Sequence, residues 1–146
     1  MAFALSPLEM EIVTKLLLSA FFGGLVGLER EFNRSPAGIK TYAIVCMGSA
    51  LFTVASLYTD IRIAAGVITG IGFLGAATIF RDDKSKTPSG RVSGITTAAL
   101  IWSIAATGFV VGVGMYFAAA VATAIMLVIL IPIEHLEKKY IHALRE

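Results

Sequence analysis

IAAGVITGIGFLGAATIF, residues 63–80, decides the fold: eighteen residues without a charge, closed by Arg62 on one side and Arg81 on the other. As a helix the stretch covers about 27 Å, close to the thickness of a bilayer's hydrocarbon core. It is rich in glycine and alanine, residues that let membrane helices pack backbone to backbone. The reading is an integral membrane protein.

The rest of the chain agrees. Of its 146 residues 57% are hydrophobic and 15% charged, against about 25% charged in an average soluble domain. Mean hydropathy is +0.83. The length suits one domain. Cys46, the one cysteine, has no partner for an internal disulfide and reads as a small core residue.

Working outward from residues 63–80, four more spans follow: about Met10–Leu28, Thr41–Tyr58, Ile95–Val111 and Met115–Ile133. The expected fold is therefore all-α, a bundle of five transmembrane helices. Arg30, Arg34 and Lys40 lie between spans one and two; Arg81, Lys84, Lys86 and Arg91 lie between spans three and four; Lys138, Lys139 and Arg145 follow span five. Only Lys15 and Arg62 fall on the other side, and Lys15 is placed to snorkel to the near surface. The positive-inside rule then puts the N-terminus outside and the C-terminus inside. The outer connections, Thr59–Arg62 and Gly112–Gly114, are short enough to force antiparallel hairpins. The N-terminus has no basic region before span one, and Glu9 and Glu11 precede it, so span one is expected to be retained and not cleaved as a signal peptide. Residues 1–133 form the five-span domain. Residues 134–146 form a cytoplasmic tail, read either as a short amphipathic helix along the inner surface or as a continuation of the last span.

Gly70-Ile-Gly-Phe-Leu-Gly75 matches GxGxxG, but a dinucleotide fingerprint needs a preceding strand and a helix opening at the glycines. Packing is the physical reading: Gly66, Gly70, Gly72 and Gly75 are helix-packing positions, and span three is expected to be the central helix. Gly23 with Gly27 in span one, and Gly108 with Gly112 in span four, repeat the contact spacing. These contacts lie within the chain or between copies in a homo-oligomer. Asn33-Arg34-Ser35 fits a glycosylation sequon but falls on the cytoplasmic side. His135 and His142 are about 10 Å apart along a helix, too far to share a metal. There is no HExxH, P-loop, Cys/His cluster or nucleophile triad, so no enzyme activity, cofactor, metal or nucleic-acid partner is expected.

Charges at the membrane boundaries are functional candidates, because ionisable groups there are costly unless paired or hydrated. They are Glu29 and Arg30 with Arg34 at the end of span one, Asp60 and Arg62 at the outer turn, and Arg81 after span three. Glu29 is expected to be held by Arg81 or Arg34. In span four, Thr96, Ala99, Ser103 and Ala106 share one small, weakly polar face, and mid-span Trp102 needs a partner for its N–H. No span interior carries an acid, which argues against a dehydrated Mg²⁺ site at mid-membrane.

Gly27-Leu-Glu-Arg-Glu31, Pro36-Ala-Gly-Ile-Lys-Thr41, Arg62-Ile-Ala-Ala65, Gly70-Ile-Gly-Phe-Leu-Gly-Ala76 and Gly94-Ile-Thr-Thr-Ala-Ala99 with Trp102 resemble, in order, the MgtC/SapB family. The resemblance implies a multi-pass protein of a bacterial or archaeal inner membrane. It implies a role in growth at low magnesium and, in pathogens, in survival inside host cells. Many members carry a soluble C-terminal domain that this sequence does not show, which places it with the short members. Two positions depart from the family pattern: Gly66 stands where Gln is common and Ala77 where Gly is common. Functionally important polar positions in the fourth span of the virulence-associated member map onto Thr96 and Ser103. The resemblance implies a non-enzymatic regulator of another membrane protein under low-magnesium or acid stress, with an F-type ATP synthase as a candidate partner. The alternative is an oligomeric small transporter or channel for Mg²⁺ or another cation.

Overall fold

The computed structural model describes residues 6–82 and 94–143, with side chains described over 6–79 and 94–131. Every described regular element is an α-helix: α1 Pro7–Phe32, α2 Ile39–Leu57, α3 Arg62–Asp82, α4 Ile95–Val113 and α5 Tyr116–Ala143. The first four are long and apolar enough to cross a membrane, and the described apolar part of α5 is shorter, Tyr116–Ile131.

Local chemistry sets the ends. Ser6 caps α1: its hydroxyl accepts from Glu9 N–H at 3.3 Å, while the Glu9 carboxylate accepts from Ser6 N–H at 2.7 Å, and Pro7 opens the helix. Gly38 precedes α2 without a side-chain cap of its own. Glu31 supplies one from α1, its Oε2 accepting Ile39 N–H at 3.0 Å. Asp60 caps α3 by accepting Arg62 N–H at 2.9 Å. Gly114 ends α4 at φ 100, a left-handed value that favours glycine, and α5 starts two residues later. α5 runs through Pro132 to Ala143 as one helix, so the last span and the tail are continuous; the missing N–H at Pro132 does not end the helix. The tail's side chains lie outside the described residues.

Packing centres on α2 and α4. α4 touches all four other helices, and half of its span is buried, against 17% for α3. This corrects the expectation that span three is central. A Cβ at Gly66, Gly70 or Gly72 would meet open space, and one at Gly75 would meet Ala98 Cβ at an ordinary 3.6 Å. The close approaches lie elsewhere. A Cβ at Gly23 would run into the Tyr42 carbonyl, and one at Gly27 would sit 2.6 Å from Ile39 Cα. From the other side, a Cβ at Gly108 would overlap the Cys46 carbonyl, and one at Gly112 would sit 2.8 Å from Ala50 O. α2 is thus clasped between a glycine pair on α1 and a glycine pair on α4. Around that clasp Val26, Tyr42, Cys46, Leu100, Ile101, Ile104 and Leu130 form the core. Ser49 ties α2 to α4 by donating to Ala105 O at 2.6 Å.

Candidate functional site

Two features gather the candidate residues. The first is a buried polar nest at the end of the bundle where α1 turns into α2. Glu29 and Arg30 are both buried, at 9% and 5% exposure. Arg30 Nε donates to Glu29 Oε2 at 2.8 Å and its terminal nitrogen to Oε1 at 3.3 Å. Asn33 Nδ2 donates to the same Oε1 at 2.6 Å. A charge-assisted fork plus an amide supplies the buried carboxylate with hydrogen bonds in place of water. The described partners of Glu29 are thus Arg30 and Asn33. Arg34 is exposed, in the left-handed region at φ 54 just past the helix end. Arg81 falls in the last turns of α3, where side chains lie outside the described residues.

Beside the nest, Ser35 and Thr97 hydroxyls share a hydrogen bond at 3.3 Å and tie the α1–α2 loop to the start of α4. Tyr42 is fully buried within electrostatic reach of Arg30 and Glu29, and its hydroxyl has no hydrogen-bond partner among the described residues. None of Asn33, Tyr42 or the Ser35–Thr97 pair was a sequence candidate. Asn33, four residues after Glu29, carried the one available signal, since i and i+4 share a helix face.

Toward the opposite end, Asp60 and Arg62 are exposed and joined only by the cap of α3. Lys15 is buried at 6% exposure, and its Nζ reaches back one turn toward the N-terminal end of α1 to the exposed Glu11 at 2.8 Å. Among the described residues there is no cluster of three or more His, Cys, Asp or Glu that could hold a metal ion.

The second feature is the face of α4 that the core does not use. Thr97, Leu100, Ile101, Ile104, Ala105, Thr107 and Gly108 point inward. Thr96, Ala99, Trp102 and Ala106 are exposed and Ser103 is half-exposed, so the expected stripe looks out of the bundle. Ser103 returns its hydroxyl to Ala99 O at 2.9 Å, which leaves the face small and nearly neutral. Trp102 is 52% exposed and borders, with Val67 and Ile68 of α3, a hollow of about 90 Å³. Its indole N–H has no hydrogen-bond partner among the described residues, where the sequence suggested an interhelical one.

Residues 16–139 match the MgtC family. The chain belongs to that family. Among curated relatives, an uncharacterised protein of Haemophilus influenzae is 36% identical over 94% of this chain and 61% of its own length. A protein of Escherichia coli named a putative magnesium transporter, YhiD, is 40% identical over 73% of this chain and 53% of its own. Protein MgtC of Salmonella typhimurium is 38% identical over 79% of this chain and 49% of its own. The chain thus spans about half to three-fifths of the length of these relatives. No solved structure matches it. Family membership agrees with the multi-span helical fold and with the resemblance carried by the motifs between Gly27 and Trp102.

Proposed function

We propose that this MgtC-family protein is a non-enzymatic regulator in a bacterial or archaeal inner membrane, acting on another membrane protein through the outward face of α4. Low magnesium or acid stress is the setting, and an F-type ATP synthase is the partner the resemblance suggests. The observation that carries this reading is the direction of the stripe: Thr96, Ala99, Ser103 and Ala106 look away from the chain's own core. Small side chains there allow a neighbouring helix to come close, and the Ser103 hydroxyl, returned to its own helix, keeps mid-span compatible with lipid until it does. The nest supports the same reading. Glu29 is occupied by Arg30 and Asn33 and offers no free carboxylate edge to a divalent cation.

A second reading, an oligomeric cation transporter, is favoured by the name of the Escherichia coli relative. The two separate in liposomes and in cells. The purified protein alone should give no Mg²⁺ flux, and Ser103→Leu should abolish the growth benefit at low magnesium while leaving insertion unchanged. Saturable Mg²⁺ flux from the protein alone would overturn the regulatory reading. Wild-type growth with Ser103→Leu would remove α4 as the working surface.

A further inference from the structure

A groove runs along the seam between α2 and α3 and opens sideways. Its main part, about 500 Å³, is lined by Ile44, Gly48, Phe52, Ile63, Gly66 and Gly70. A second hollow of about 580 Å³ shares Val45 and Leu74 with it and continues to Thr41 and Thr78. A Cβ at Gly48, Gly66 or Gly70 would meet nothing within 4 Å, so each glycine adds the depth of a missing side chain.

α2 and α3 touch each other, so the groove is a seam between packed helices. A methylene chain, thinner than a helix roughly 10 Å across, reaches deeper into such a seam than a partner helix does. The walls are apolar over most of the length, and the polar groups gather at one end. Lys40 is exposed one turn before Ile44, and Thr41 opens into the hollow. Neither side chain is in an ion pair or hydrogen bond with the described residues. Glu31 already occupies the first amide of α2, and among the described side chains Lys40 and Thr41 are the ones placed to meet a headgroup.

We propose that the α2–α3 groove holds one acyl chain of an anionic phospholipid, with its phosphate at Lys40 and Thr41. An apolar slot with the exposed cation Lys40 at its mouth complements that amphiphile in both shape and charge. The groove shares no lining residue with the Thr96, Ala99, Ser103 and Ala106 face of α4, and its lipid needs no protein partner.

The test uses the full chain in detergent and native mass spectrometry, with phosphatidylglycerol and phosphatidylcholine of identical chains as probes. Wild type should retain one phosphatidylglycerol through a delipidating wash. Gly66→Leu/Gly70→Leu, which fills the slot, should lose it. Gly72→Leu, equally open but outside the groove lining, should keep it. Lys40→Gln should still bind a chain but lose about fivefold in preference for phosphatidylglycerol, the weight of one lysine at an anionic surface. Photoactivatable phosphatidylglycerol on wild type, which needs no variant to fold, should leave adducts between residues 44 and 52 and between 63 and 70. Lipid retained by the double leucine variant, or adducts confined elsewhere, would overturn the site. An unchanged headgroup preference in Lys40→Gln would overturn the phosphate assignment. A wild-type oligomer that the two leucines dissociate without lipid release would make a second copy the occupant and overturn the proposal.

Discussion

Glu29 and Arg30 are neighbours in sequence, and side chains at i and i+1 leave a helix about 100° apart. Arg30 spans that angle because its guanidinium sits on a long stem, and Asn33 closes the carboxylate from the next turn. Searching for a partner at distant helix ends therefore overlooked the one beside it. Both groups are buried, so their coupling is large. Glu29→Gln breaks a buried charge-assisted pair and should cost about 3 kcal/mol in unfolding experiments in detergent or bicelles. Arg30→Met should cost less on top of Glu29→Gln than it costs alone, and fully additive losses in the double-mutant cycle would show that the two do not interact. Tyr42 behaves oppositely. Its buried hydroxyl has no partner among the described residues, so Tyr42→Phe removes a desolvated polar atom and should be neutral or stabilising. A measured loss above about 1 kcal/mol would mean that the hydroxyl is engaged.

At the scale of elements, glycine spacing was legible but its consequences were not. The pairs Gly23/Gly27 and Gly108/Gly112 are close contacts, as their four-residue spacing suggested. Span three, the richest in glycine, is nevertheless peripheral, and its glycines hollow out a groove where contact was expected. Spacing identifies a face without a Cβ; it does not tell whether a neighbour comes to fill it. The clasped helix is α2, whose one glycine, Gly48, faces open space. Its neighbours carry the glycines and α2 receives them. Substitutions at the two kinds of site should therefore differ in sign. Gly108→Ala forces a methyl onto the Cys46 backbone, which cannot swing aside, and should cost about 1–3 kcal/mol or more. Gly70→Ala meets open space and should gain up to about 1 kcal/mol from helix propensity. Thermal unfolding in one detergent reads both, and equal losses would show that α3 is packed as tightly as α4.

For the whole molecule, most of the architecture was legible because the bilayer imposes it. Helices must be long, apolar and internally hydrogen-bonded, and four of the expected spans meet that test by length and composition. The face carrying Thr96 and Ser103 was legible as a periodicity, but its outward direction needed the neighbours, since a small, weakly polar stripe can line a bundle or cover it. The nest was hidden because its members belong to a helix end and a loop, where periodicity stops. Basic residues add what packing alone does not supply, an orientation. Arg30, Arg34 and Lys40 gather at the α1–α2 turn, and Ser6 begins the described chain at the opposite end of α1. If the positive-inside rule governs, the α1–α2 turn faces the cytoplasm. Both Arg34 and Ser6 are exposed, so single cysteines at either position are open to a thiol reagent. Cys46 is buried and is removed by Cys46→Ala to leave no background. In intact cells an impermeant maleimide should label Ser6→Cys, after passage through any outer membrane, and should spare Arg34→Cys until the inner membrane is opened. Labelling of Arg34→Cys in intact cells would invert the topology, and with it the leaflet in which the groove's basic mouth lies.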